Sequence, residues 1–362
     1  MLRLLLESDF RKMARDLLLA PAFRAISDSE YFLLTRYRKR WKKGRVSSSD
    51  CLKFFRFSKD DILRIMNLLH FPPRFKLWNL MSVPSEDIFC LVLRRLSYPC
   101  RLIDLQHMFP RHRTVLSNMF NVGIEFVQAR IKSHLTTLNQ PFSTAKRLEM
   151  YANNVVETTD DLTEPMKIWA FIDGTTRRIC RPSKDQRIVY NGKNRYHALK
   201  FQAVTALDGI IIHLAGPIEG ARHDSHMLRE SGLLGQLAEK MEVIGDMYRL
   251  YGDPAYSLSN HLITPHRNAK DREHIFFNEI LAQVRVAVEW SFGKVLQYFA
   301  FTDFSKNQKL FLQPVAKYYI VSVALTNIHT CLYQSLCGET FDIMAPSLEE
   351  YLEGITEPGE QQ

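Results

Sequence analysis

Two kinds of hydrophobic spacing divide this chain. Across residues 51–135 apolar side chains recur every three or four positions, whereas residues 167–335 alternate such stretches with short, nearly continuous apolar runs. In the first region "FSKDDILRIMNLL" predicts a helix with Ser58 as N-cap, Asp61 three positions on, and Ile62, Ile65, Met66 and Leu69 on one face. "PSEDIFCLVLRRLSY" repeats the plan, with Ser85 as the cap and acidic residues in the first turn. In "PCRLIDLQHMFPRHRTVLSNMFNVGIEFVQARI" two helical patterns meet at Phe109-Pro110-Arg111. That break fits either an ordinary helical hairpin or a helix-turn-helix, whose second helix would present Arg111, His112, Arg113, Ser117 and Asn118.

The second region reads differently. "KIWAFIDGTTRRI" is a strand by its apolar and β-branched content, and "HALKFQAVTALDGIIIHLAGPI" is two strands joined at Asp208-Gly209, a strong hairpin signal. "DSHMLRESGLLGQLAEKM" predicts a helix, "YRLYGDPAYSL" a short buried strand, and "LAQVRVAVEWSFGKVLQYF" a long helix. Strand, hairpin, helix, strand, helix makes an α/β fold, a mixed sheet flanked by helices and preceded by an all-α region. The expected organisation is a basic helical segment at 1–50, a helical domain at 51–138, a linker at 139–166 ending in the acidic "TTDDLTEP", an α/β domain at 167–335, and an acidic, fraying tail at 336–362.

Composition narrows the partners. The chain has 362 residues, 46% of them hydrophobic, and a formal charge of +9, which favours a polyanion, nucleic acid or anionic lipid. The run "TRYRKRWKKGR" at 35–45 reads as a solvated helix end, a nuclear import signal or an arm on a DNA backbone. Six scattered cysteines without a CxxC pair argue against a disulfide framework or a cysteine zinc site. The opening "MLRLLLESDFRK" is too broken for a signal-peptide core. "YYIVSVALTNIHTCLYQSL" carries Asn327 and His329 mid-segment, so it predicts a buried helix rather than a membrane span. A soluble intracellular protein is expected.

Four carboxylates stand beside apolar elements. Asp173 follows the first strand's apolar run, Asp224 heads a helix, Asp253 sits where a short strand meets a proline, and Glu289 falls on a helix face shared with Ala282, Phe292, Gly293 and Leu296. Each has a plainer reading: an Asp-Gly turn, an N-cap, a turn residue, and a salt bridge to Arg285 four residues earlier. Together they can converge at one end of a sheet. Clustered carboxylates repel one another unless a divalent cation neutralises them, and Mg2+ or Mn2+ suits a few carboxylates plus phosphate oxygens. The basic residues Arg177, Arg178, Arg181, Lys184, Arg187, Lys193, Arg195 and Lys200 come just after the first acid and would hold an anionic phosphodiester.

The blocks "FIDGT", "YNGKNRYHALKFQ", "GPIEGARHDSHML", "YGDPAY" and "RVAVEWSFGKVLQYF" occur in this order and resemble those of the Harbinger-type transposases and their domesticated relatives in the DDE endonuclease superfamily. The resemblance spans residues 86–330 and is strongest between 168 and 300. It implies a ribonuclease-H-like domain with Asp173, Asp253 and Glu289 as catalytic metal ligands and Asp224 as a further ligand. Whether Asp224 or Asp253 completes the core triad stays open. It further implies a divalent cation, Mg2+ or Mn2+, as cofactor, DNA as partner, with Arg177, Arg178, Arg181, Arg187, Lys193, Arg195, Arg111 and Arg113 as DNA contacts, and the nucleus as location. A separate Myb-like DNA-binding protein and a homodimer are the protein partners it suggests.

The leading expectation is a metal-dependent DNA endonuclease and strand-transferase. Two others stay beside it: a host-adopted nuclease that no longer transposes, and a non-catalytic DNA-binding or adaptor protein. A carboxylate-pair hydrolase of neutral sugars is more distant, since it has no use for the basic flank.

Overall fold

The computed structural model describes residues 47–78, 80–158 and 166–355. The basic run at 35–45, most of the acidic link and the last seven residues lie outside the described residues.

Capping starts the first described helices. Ser47 accepts from the Asp50 N–H ahead of α1 (Ser48–Phe55), and Ser58 accepts from Asp61 ahead of α2 (Lys59–Leu68). A two-stranded ribbon, β1 (Arg74–Lys76) and β2 (Ser82–Pro84), leads into α3 (Ser85–Ser97). There Pro84 takes the N-cap position, and the Ser85 hydroxyl donates to the Pro72 carbonyl instead of capping.

The helix-turn-helix reading does not hold. Residues Asp104–His107 make only a single 3-10 turn, and the next element is one 24-residue helix, α4 (Arg113–Thr136). That helix buries Leu116, Phe120, Ile124, Val127 and Ile131 and packs against α3 and the sheet, so it is a core element. Arg113 is exposed at its start, while Arg111, His112, Ser117 and Asn118 are half-buried.

The linker and tail expectations also change. Within 139–166, α5 (Ala145–Thr158) seals Leu148 and Tyr151 against the sheet. Its Tyr151 hydroxyl donates to Asp208 Oδ2 at 2.5 Å, a carboxylate with no solvent exposure. An amphipathic helix that covers a sheet face belongs to the domain it covers.

The central sheet is built outward from one strand. β3 (Ile168–Arg178) pairs antiparallel with β5 (Tyr196–Ala206), which pairs with β6 (Ile211–Glu219); the short α6 (Gln186–Val189) and β4 (Tyr190–Asn191) precede β5. On the other side of β3 come β7 (Arg249–Gly252) and β8 (Leu262–Ile263), both parallel. The order is β4-β5-β3-β7-β8 with β6 on β5, a mixed sheet flanked by helices, consistent with a ribonuclease-H-like fold. The hairpin turns at Gly209, whose φ of 84° suits a residue without a side chain. The single helix expected after β6 is two, α7 (Asp224–Glu230) and α8 (Leu233–Ile244), because Gly232 at φ 68° breaks the run.

Two long helices complete the core: α9 (Arg272–Tyr298) and α10 (Val315–Tyr333). In α10, Asn327 spans the Ile211 backbone, accepting from its N–H at 3.0 Å and donating to its carbonyl at 2.8 Å. Those bonds satisfy a polar side chain in an otherwise apolar helix, and none of the described helices is long and apolar enough to cross a membrane. The acidic end is not a frayed tail up to residue 355. After α11 (Leu336–Phe341), α12 (Leu348–Leu352) starts with a Ser347–Glu350 capping box and buries Tyr351, whose hydroxyl accepts from Asn327 at 2.9 Å.

Candidate active site

Strand register brings the first two acids together. The parallel pairing of β3 and β7 runs to Ile172 opposite Gly252, so the next residues in line are Asp173 and Asp253. Asp173 does not end its strand: β3 continues five residues further, with Asp173 opposite Ala203 of β5. The Asp-Gly pair is therefore mid-strand, not a turn. β7 does stop, because Pro254 cannot extend the ladder. Asp253 then takes an Asx-turn role, accepting from the Ala255 N–H at 2.7 Å, while still standing beside Asp173.

Asp224 arrives from beyond β6, the strand that pairs with β5, at the first position of α7. It opens α7 but makes no cap; its side chain lies against Gly174. A Cβ at Gly174 would stand 3.0 Å from Asp224 Cγ and closer still to Oδ1, so only glycine leaves room for this carboxylate. Lys200 Nζ lies 2.9 Å from Asp224 Oδ1 but aims its hydrogen bond at the Arg222 carbonyl, also 2.9 Å away. Buried Oδ1 thus pairs with the Lys200 charge at 2.9 Å while that ammonium points its well-aligned hydrogen bond elsewhere.

Beneath the three aspartates lies Tyr256, fully buried, its hydroxyl accepting from Gln202 Nε2 at 2.9 Å. Burial pushes the Tyr256 phenol upward, and the negative charges of Asp224, Asp173 and Asp253 add to the push. Burial also raises the Asp173 carboxyl, helped by Asp253 and Asp224; the Gly174 N–H, donating to Oδ1 at 2.7 Å, and Arg285 oppose it.

Glu289 stands apart from the sequence expectation. The buried stripe of α9 runs through Phe277, Leu281, Val284, Phe292 and Val295, which leaves positions 285 and 289 at its edge. The Glu289 side chain is 58% exposed, and Arg285 joins it to Asp173: Nη1 donates to Asp173 Oδ2 at 3.2 Å, and Nη2 lies 3.7 Å from Glu289 Oε1. The salt bridge to Arg285 is thus present, and it ties Glu289 to the cluster.

All four acids offer oxygen donors, the type that Mg2+ and Mn2+ take. Asp224 Oδ1, buried with its hydrogen-bonding capacity incompletely met, and the space kept by Gly174 fit such an ion. Even so, among the described residues no three acids, histidines or cysteines are grouped closely enough to hold one as they stand.

The basic candidates separate into two kinds. Arg178, Arg181, Arg187, Lys193 and Arg195 are exposed along the end of β3 and the segment leading into β5. Arg178 lies over the Tyr196 ring at 5.5 Å, and Arg181 donates to Gln186 at 2.9 Å. Arg177 turns inward instead, over the Tyr319 ring at 5.1 Å, donating to the Thr175 hydroxyl. Lys200 serves Asp224. Tyr256 and Gln202 were not legible as site residues, since each reads as an ordinary strand or turn residue.

Residues 172–327, under half of the chain, match the family model described as DDE superfamily endonuclease. No curated protein and no solved structure matches the chain. The matched span runs from Ile172 to Asn327 and so contains all four acids. It supports a DDE transposase-type relationship for this part of the protein.

Proposed function

We propose that this chain is a metal-dependent DNA endonuclease of the transposase type, close to the Harbinger group, with Asp173, Asp253 and Glu289 as its catalytic carboxylates and Asp224 as a further ligand. The observation that carries this reading is the meeting of Asp173, Asp253 and Asp224 at one end of the β3–β7 pair, with Glu289 reached through Arg285.

In this reading the four carboxylates hold one or two divalent cations. Bound there, Mg2+ or Mn2+ would neutralise charge on the scissile phosphate and lower the proton affinity of the attacking water or 3′-hydroxyl. The chain's own residues supply position. Asp173 is held by the Gly174 N–H, Asp253 by its turn, and Asp224 lies against Gly174, so each acid is anchored on or next to a strand or helix, and binding the ion would draw them closer. Arg178, Arg181, Arg187, Lys193 and Arg195 hold the DNA backbone beside them, and Arg113 is exposed for the same use at the start of α4.

Nicking of labelled duplex DNA with Mg2+, with Mn2+ and with EDTA tests the reading. Cutting should need metal and fall at least about a hundredfold in Asp173→Asn and Glu289→Gln, with salt-sensitive DNA binding retained. Wild-type rates in either variant would refute the site. A folded protein that binds DNA and never cuts under any metal would favour the adaptor reading instead.

A further inference from the structure

Positive charge is scarce among these carboxylates, and its placement is informative. Lys200 stands beside Asp224, while a single guanidinium, Arg285, serves both Asp173 and Glu289. Resting on the catalytic reading above, we infer that Arg285 couples metal binding to DNA binding. It holds Asp173 and Glu289 in the free protein and releases them to a divalent cation when a DNA phosphate takes its place as partner.

Two observations lead there. Arg285 fills the position between the two acids that a shared cation needs, 3.2 Å from one carboxylate and 3.7 Å from the other. And Arg285 and Glu289 are one helical turn apart on α9, so Arg285 stays within reach of the site after it lets go.

Electrostatics makes the exchange conditional. A dication beside Arg285 would meet like charge, and a guanidinium with only 24% of its side chain exposed would lose both partners. A DNA phosphate supplies two non-bridging oxygens at a spacing that arginine's planar fork matches, so the phosphodiester restores what the metal removes. Linkage then requires reciprocity: DNA tightens metal binding by the same factor by which metal tightens DNA binding. Metal loading of the free protein is held back, and the loaded site is reserved for protein that has substrate in hand. Lysine would serve less well, having a point charge where the fork spans two carboxylates.

The experiment has two readouts that need no turnover. Mn2+ affinity of the DNA-free full chain is measured by calorimetry, and DNA affinity by fluorescence anisotropy in EDTA and in Mn2+ at matched ionic strength. Mn2+ should tighten wild-type DNA binding by about tenfold, and Arg285→Gln should lose that dependence while binding Mn2+ about tenfold more tightly without DNA. Arg285→Lys, which keeps the charge, should fall between the two and guards against a folding defect. Lys200→Gln removes a neighbouring positive charge and should keep the Mn2+ dependence of DNA binding. If Arg285→Gln keeps the wild-type dependence, or Lys200→Gln loses it equally, the coupling role is wrong while the metal site stands. If Mn2+ binds neither wild type nor any variant, with or without DNA, the catalytic reading itself falls and takes the coupling with it.

Discussion

Replacing Gly174 by alanine separates the site from the fold that carries it. The added methyl would sit 3.0 Å from Asp224 Cγ and closer to Oδ1, inside van der Waals contact, and those are the atoms it meets first. Asp224 is the terminus of a short side chain on the first turn of α7, so it can swing away. The folded state then forfeits its contact with Lys200, a partly exposed pair worth about 1 kcal/mol or less. Gly252→Ala is the contrasting case. Its methyl would meet Ile172 Cγ2 at 2.8 Å and Tyr256 Cδ2 at 2.9 Å, both packed in the core, where overpacking costs about 1–3 kcal/mol. Urea unfolding should therefore show Gly174→Ala near wild type and Gly252→Ala clearly weaker. Metal-dependent nicking should behave oppositely in severity: displacing one ligand by about 1 Å can cost about a hundredfold, so Gly174→Ala should cut at roughly a hundredth of the wild-type rate while nearly as stable. Wild-type cutting by Gly174→Ala, or a stability loss as large as that of Gly252→Ala, would refute the reasoning.

Acid should destabilise the protein through its buried histidines. Burial lowers His213 to about 4, and burial with the charges of Lys294 and Arg56 lowers His329 to about 3, so the unfolded chain binds more protons below its own pKa of about 6.5. Stability is then full above that value and falls by about 1.4 kcal/mol per pH unit per histidine as pH drops towards the folded values, a slope that pH-dependent urea melts should show and His213→Asn should reduce. Arg187→Ala and Arg195→Ala should each lower the salt slope of DNA binding by about 1 in anisotropy titrations. Arg177→Ala should leave that slope alone and cost about 1–2 kcal/mol in stability, because its guanidinium packs over Tyr319. Tyr151→Phe strips a hydrogen bond from the fully buried Asp208 and should cost about 1–3 kcal/mol by urea unfolding.

Legibility in the chain tracks the range of the forces involved. The apolar run before Asp173, the Asp208-Gly209 hairpin and the buried helix around Asn327 are local patterns, and the structure has them. Phase along α9 was harder: the helix begins at Arg272, well before its apolar stripe is obvious, so Glu289 looked buried when it lies at the edge. The adjacency of Asp173 and Asp253 depends on the parallel register of β3 and β7, which no local pattern specifies. Tyr256, just after β7, shares that dependence, while Gln202 owes its place to the antiparallel register of β5, which sets it opposite Gly174. The break at Phe109-Pro110-Arg111 was visible, but the 3-10 turn before it is too short to pair as a helix with α4. Residues 139–166 and the acidic end misled for a related reason: their polar composition hides Tyr151 and Tyr351, two fully buried anchors.

Those two tyrosines show that the matched span cannot stand alone. The family match covers 172–327, yet Tyr151 completes the Asp208 carboxylate from before that span and Tyr351 completes Asn327 from beyond it. A fragment trimmed to the matched residues would leave a buried carboxylate and a buried amide each short of a partner, and would expose the faces that α5 and α12 cover. Expression of the catalytic half should therefore keep α4 and α5 and run through Ile355. Gene truncations that spare every acidic residue but clip either flank would silence the protein by unfolding it, not by disarming it.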